Sequence, residues 1–323
     1  MARRRKGCPI SGWVALDKAT GITSARAVSR VRQILNAQKA GHAGTLDPLA
    51  TGVLPIALGE ATKTVPYVMD GSKVYRFTVA FGEARDTDDL EGRVTKTSDV
   101  RPENTTIQKV LPAFTGKILQ IPPVYSSVKV DGERSYRRAR AGTGKLPAAR
   151  IVQIDRFEFL ARPDRGHAVF EVECGKGTYI RSLARDLGSR LKTVAHVSEL
   201  RRTQCGPFSE KDTILLDNLS ETVLCALPQD YLLPVAAALD DIPALAMTET
   251  QTDRLCHGRA VRARSGSAVF VNASVLEAIA DGGVLCAMAG NIPIALARLD
   301  GEEIRPIRVF NLKRVSDRDT EME

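Results

Sequence analysis

An imidazole and a carboxylate five positions apart, His42 and Asp47, share the stretch Gly-His-Ala-Gly-Thr-Leu-Asp-Pro-Leu-Ala-Thr-Gly at positions 41–52. Gly41, Gly44 and Gly52 free the backbone for tight turns and close approach to a ligand, while Pro48 drives Asp47 out of the helical region. A carboxylate held on such a stiff loop suits work as a nucleophile or a base. An Asp-Pro step between glycines is also the signature of a plain Asx-type turn. What lifts it above a turn is His42 together with the apolar run at 53–58, which would place two ionisable groups where water is excluded and pKa values shift. Neither a Gly-x-Gly-x-x-Gly fingerprint nor a P-loop accompanies them, so no cofactor is expected. Asp86, Asp88 and Asp89 with Gly92 read as a polar hairpin turn that lacks further ligand spacing, and no metal is expected there. The six cysteines are scattered, without a Cys-x-x-Cys pair, and read as reduced thiols.

Residues 41–63, which close on Gly59-Glu60-Ala61-Thr62-Lys63, closely resemble the signature of the TruB family of tRNA pseudouridine synthases, whose members convert uridine 55 of the tRNA T loop to pseudouridine. The resemblance makes Asp47 the catalytic aspartate. It extends to Asp17-Lys18-Ala19-Thr20-Gly21, similar to the family's first motif but with Ala19 where proline is usual, and implies that Asp17 and Lys18 support the loop. It implies that Tyr75, in the Lys-x-Tyr strand, packs against a flipped base. The Gly-Thr-Tyr-Ile-Arg motif at 177–181 would bring Arg181 against Asp47 and Tyr179 into the base pocket. Leu200 would lie against the base, with His42 as a further contact. The fold implied is α+β, a pseudouridine synthase fold with a mixed, mainly antiparallel central sheet. Its expected organisation is a catalytic domain at 1–240 with an RNA-gripping insertion at 123–150, a small β-rich PUA-like RNA-binding domain at 241–315 and a disordered tail at 316–323.

The elements that must position these residues are legible from periodicity. A strand is expected at 12–16, then a helix capped by Thr23 or Ser24, with Val28, Val31, Ile34 and Leu35 at helical spacing. After the strand at 53–58 comes a short helix over 60–69 ended by Gly71. Residues 73–81 alternate cleanly, with Tyr75, Phe77, Val79 and Phe81 on one face. Strands at 151–160 and 167–174 flank a turn. A helix follows from Thr178 as its cap, with Ile180, Leu183, Ala184, Leu187 and Leu191 as its apolar stripe and Tyr179 and Arg181 off it. Residues 196–203 form a further edge of the pocket, from which Arg201 and Arg202 could reach phosphate. The domain boundary is expected within 227–243. Beyond it, short strands are read at 258–262, 268–271, 284–289 and 304–312.

Charge agrees with a polyanionic partner: 46 Lys and Arg against 38 Asp and Glu, a net +8, favour phosphate contacts. The bias concentrates at 122–150, where Lys129, Arg134, Arg137, Arg138, Arg140, Lys145 and Arg150 face only Asp131 and Glu133, with Tyr125 and Tyr136 between them. Cations for phosphates and rings for exposed bases are what an RNA-embracing insertion needs. The basic residues at 3–6 precede no long apolar segment, so a cytoplasmic, non-membrane protein is expected. The expected partner is the T arm of tRNA, with no obligatory protein partner. Two competing readings are a non-catalytic RNA-binding or RNA-folding protein, for which Asp47 would only order a turn, and a guide-RNA-dependent synthase. The compact loop and the insertion favour a stand-alone enzyme.

Overall fold

The structure is a computed structural model that describes residues 7–126, 128–130, 132–142, 147–225, 228–262 and 283–312. In chain order the first elements are β1 (Gly12–Lys18), α1 (Ser24–Ile34), β2 (Ala40–His42), β3 (Thr51–Leu58), α2 (Val65–Asp70), β4 (Lys73–Phe81), β5 (Glu83–Arg85), β6 (Val94–Thr97), α3 (Asn104–Val110) and β7 (Gly116–Gln120). The basic insertion contributes β8 (Lys129–Val130), β9 (Glu133–Arg134) and α4 (Ser135–Arg140). There follow β10 (Arg150–Ala161), β11 (His167–Cys174), α5 (Ile180–Arg190), β12 (Ala195–Cys205), β13 (Phe208–Ser209), β14 (Ile214–Leu215) and α6 (Leu216–Cys225). The last group is β15 (Ala244–Ala246), α7 (Glu249–Cys256), β16 (Val261–Arg262), β17 (Leu285–Ala289), β18 (Ile292–Asp300) and β19 (Glu303–Val309).

Among the described residues, ten strands form one sheet with the order β14-β1-β3-β12-β4-β11-β10-β7, β2 pairing with β3 and β13 with β12. Only β1–β14 and β3–β12 run parallel, so the α+β class and the mixed, mainly antiparallel sheet are as expected. The part of this sheet formed by β1, β3 and β12 is covered on both faces, and the side-chain period of two sends alternate residues to opposite cores. On β1, Val14 and Leu16 join a cluster with α1 and α5, whereas Trp13 and Ala15 join one that contains Phe208, Val235, Leu296 and Phe310. That double burial explains why 53–58 is a continuous apolar run rather than an alternating one. The second, five-stranded sheet, β15-β17-β18-β19-β16, has its own cluster around Leu245, Leu255, Ile294 and Ile304. It is tied to the first by Lys63 Nζ donating to the Val309 carbonyl and by the Asn311 amide donating to Glu60.

Several local expectations need correction. The helix over 60–69 is split into a 3₁₀ turn at Gly59–Lys63 and α2, because Pro66 lacks an N–H and fits only a helix's first turn. Gly71 does end it. Thr23 caps α1 by accepting from the Arg26 amide. Thr178, by contrast, turns back to the Gly175 carbonyl, and the N-cap of α5 is Tyr179. The strand β18 and the helix α7 are absent from the sequence reading. Pro293 argues against a strand and sits beside a register shift in β17, while α7 is eight residues long and buries only Thr252 and Leu255. The strand read at 268–271, Lys145, the basic residues at 3–6 and the tail at 316–323 lie outside the described residues. No helix among the described residues is long and apolar enough to cross a membrane.

Candidate active site

Residues 41–52 are fastened from two sides before any ligand is considered. From the β1–α1 turn, Lys18 Nζ donates to the carbonyls of Ala19, Ile22 and Pro48 at 2.9, 2.8 and 3.2 Å. Ser24 Oγ both donates to the Leu46 carbonyl and accepts from the Leu46 amide, each at 2.9 Å. These bonds hold the two residues flanking Asp47, as the supporting role read for Lys18 requires. Asp17 contributes less directly, through a two-oxygen ion pair with Arg201 at 3.0 and 2.8 Å. From β12, Arg202 donates to the carbonyls of Val53 and Gly44 at 2.8 and 3.0 Å. Gly52, at φ +96°, passes so close to Arg202 that a Cβ would meet its carbonyl oxygen at 2.2 Å, so only glycine fits.

Arg202 is 1 % exposed, and Arg201 is engaged by Asp17 and Glu210. Burial takes Arg202 away from the phosphate role the sequence suggested, whereas Arg201, its side chain 36 % exposed, is paired but still reaches the surface. Lone arginines on a strand are read as solvated because periodicity cannot show which carbonyls will be turned inward to meet them.

The loop faces a cleft of about 810 Å³. Asp47, His42, Tyr75, Tyr179, Arg181 and Leu200 all line it. Arg181, 4 % exposed, has its Nε 2.9 Å from Asp47 Oδ2, a close ion pair whose N–H is not aimed for a hydrogen bond. The rest of the guanidinium is fixed by the carbonyls of Thr87 and Tyr125 at 2.8 and 2.9 Å, with Asp89 Oδ2 at 3.5 Å from Nη1. A planar five-donor fork that meets a carboxylate on one edge and two carbonyls on the other has little rotational freedom. Asp47 itself keeps about a third of its side chain exposed, 35 %, so it is accessible from the cleft.

Burial and neighbouring charge tune the other groups. Burial pushes the Tyr75 phenol up to about 12 against the pull of Arg202, so the ring is neutral. Burial, then the Arg202 charge, lowers the His42 pKa. The imidazole is thereby neutral, and its Nδ1 is shielded from water without a hydrogen-bond partner among the described residues. Burial also brings Lys18 down to about 8, opposed by the charge of Asp47.

Asp89 and Gln120 are the residues that sequence reasoning missed. The acidic turn is a polar hairpin between β5 and β6, but Asp89 is 2 % exposed. It accepts from Thr87 Oγ1 and the Glu91 amide. Its neighbours are equally engaged, Asp88 by Arg185 and Asp86 by the Arg93 amide. Nothing local in the sequence separates a buried aspartate in a turn from a solvated one. Gln120, fully buried, accepts from the Tyr179 amide at 2.8 Å and donates to the Tyr179 carbonyl at 3.1 Å. In the insertion, Arg150 turns inward, with its guanidinium carbon 4.9 Å from the centre of the Tyr179 ring.

A family model described as the TruB family pseudouridylate synthase N-terminal domain matches residues 32–180, and one described as the tRNA pseudouridylate synthase B C-terminal domain matches 181–240. The five-stranded sheet lies beyond both matches. A tRNA pseudouridine synthase B from Gluconacetobacter diazotrophicus is 52% identical over 311 residues, covering 95% of this chain and 100% of that one. Its counterpart in Bradyrhizobium diazoefficiens is 52% identical over 316 residues, 96% of this chain and 88% of that protein. Among solved structures, a chain of a Cbf5-Nop10-Gar1 complex superposes with a TM-score of 0.71 at 28% identity, covering 93% of this chain and 84% of that chain. A chain of an H/ACA RNP bound to a substrate RNA containing 2'-deoxyuridine, at 24% identity and a TM-score of 0.69, shares the fold over 98% of this chain and 92% of that one.

Proposed function

The chain belongs to the TruB family and is a tRNA pseudouridine synthase, an isomerase acting on a tRNA uridine, and we propose that its target is uridine 55 of the T loop, with Asp47 as the group that acts on the nucleotide. The observation that carries this reading is the Asp47–Arg181 pair at 2.9 Å inside a cleft also lined by Tyr75, Tyr179 and Leu200. Pseudouridine formation breaks the bond between the ribose C1′ and N1 of uracil, turns the base and joins C1′ to C5. The C5 proton leaves and N1 gains one, so no atoms are lost from the RNA overall.

The chain's residues supply three services to that sequence. Extruding the base costs a few kcal/mol, offset by stacking on Tyr75 and Tyr179 and apolar contact with Leu200, with His42 as a further contact in the cleft lining. Asp47 serves as nucleophile or base. Arg181, itself fixed by Thr87, Tyr125 and Asp89, holds the Asp47 carboxylate in one orientation, which supplies the positioning that reaction rates demand. The exposed Arg137 of α4 and the other cations of the 123–150 insertion, the inward-turned Arg150 apart, grip the T arm, and residues 241–315 act as a PUA-like RNA-binding module. The enzyme is cytoplasmic and needs no protein partner.

The test is tritium release from C5-labelled uridine in a bare T-arm hairpin. Release is expected without added protein or guide RNA, and Asp47→Asn is expected to reduce it by at least about a thousandfold with tRNA affinity kept within a few-fold. Release only with added partners would support the guide-dependent reading. An active Asp47→Asn variant would remove Asp47 from the chemistry.

A further inference from the structure

The insertion leaves the sheet at Gln120, the last residue of β7, and returns at Arg150, the first of β10; these two are direct Cα partners in the ladder. Both side chains are committed to one residue across the cleft wall, Tyr179. Gln120 grips its main chain with both ends of the amide, doing for the start of α5 what no side chain of that helix does, since Tyr179 is an N-cap without a capping side chain of its own. Arg150 lies against its ring. Two guanidinium nitrogens of Arg150, Nε and Nη2, are shielded from water and have no hydrogen-bond partner among the described residues. Arg150 is half-buried, and leaving two shielded guanidinium nitrogens without acceptors is costly; the face of the tyrosine ring is the interaction that offsets it.

We infer that Gln120 and Arg150 are positioning residues that set the backbone and the ring plane of Tyr179, so that the two feet of the insertion align one face of the base pocket. This rests on the reading of Tyr179 as a contact to the flipped base. The same feet reach the neighbouring catalytic group, because Tyr125 and Ile121 at the start of the insertion offer their carbonyls to Arg181 and to Ser182 and Arg185 of α5. The first two turns of α5 are thereby hung through their side chains from main-chain carbonyls of the insertion, and Tyr179 is held along both its main chain and its ring. A displacement of the ring by about 1 Å is enough to cost up to about a hundredfold in rate.

The experiment is a double-mutant cycle on the full chain, read as the single-turnover rate of tritium release at saturating tRNA and, separately, as the Kd for tRNA. Arg150→Met and Gln120→Met are each expected to slow the single-turnover step about ten- to a hundredfold and to leave Kd within about threefold. In a Tyr179→Leu background, Arg150→Met is expected to add less than about twofold, because its effect passes through the ring that is already gone. Gln120→Glu keeps the acceptor for the Tyr179 amide and is expected to recover part of the rate lost in Gln120→Met. Full additivity of Arg150→Met with Tyr179→Leu would overturn the inference. So would a weakened Kd with an unchanged single-turnover rate, the mark of a phosphate contact. If Gln120→Met does not fold, the Arg150–Tyr179 cycle decides alone. Wild-type protein that releases no tritium would sink the underlying reading and this inference together, whereas active wild type with additive variants sinks only the inference.

Discussion

On the wall of the cleft that carries Asp47, two buried cations spend their donors on main-chain carbonyls, Lys18 on those of Ala19, Ile22 and Pro48 and Arg202 on those of Gly44 and Val53. On the wall that carries Tyr179 and Arg181, the fastening comes instead from the ends of the basic insertion, through Gln120, Ile121, Tyr125 and Arg150. The first wall is braced by neighbours within the sheet and is complete without RNA. The second is braced by a segment whose charge is suited to holding RNA. On the function proposed above, the loop that presents the reacting carboxylate is braced by buried cations, and the groups that would meet an incoming base are attached to the segment that would meet the RNA.

The contrast can be broken most severely where the walls touch. Arg181→Lys keeps a positive charge but loses the fork that reaches Asp47, Thr87 and Tyr125 at once; turnover is expected to fall about a hundred- to a thousandfold, measured as single-turnover tritium release, and near-normal release would show that charge alone suffices. Arg202→Met attacks the first wall only. It leaves the Gly44 and Val53 carbonyls without donors, and a loss of about 2–4 kcal/mol in unfolding free energy is expected from urea titration. An unmoved midpoint would mean that the loop is braced by other contacts.

Lys18 sharpens the comparison through pH. Its pKa is brought from 10.5 to about 8 in the folded protein, so between those values the unfolded chain binds more protons and the Lys18 contribution to stability rises with pH. Over the same interval the folded ammonium loses a proton, and with it one of the three donors that tie the β1–α1 turn together and to Pro48 of the loop. Turnover is expected to fall about two- to fivefold between about pH 7.5 and 9.5, and a flat profile across that range would take Lys18 out of the loop's support. The smallest effect is reserved for the surface proposed to face RNA: Arg137→Gln should lower the salt dependence of tRNA binding by about 0.7–0.9 in log–log slope, and an unchanged slope would separate α4 from the phosphates.

Much of the site was legible because its residues carry local signals. The glycines and Pro48 around Asp47, the Thr23 cap, the alternation of 73–81 and the apolar stripe of α5 each follow from backbone sterics or from a period within one element, which the sequence by itself determines. Outside the motifs that already implied a role for Arg181 and Lys18, tertiary structure decided what the charged side chains do. Arg181, Arg201 and Arg202 look alike in sequence, yet the first lies against Asp47, the second pairs with Asp17 and Glu210, and the third is swallowed to hold two carbonyls. Asp89 and Gln120 gave no sign of their burial. Whether a polar group faces water or is taken out of it depends on strands and turns far away in the chain, and desolvation then decides its charge, its partner and its use.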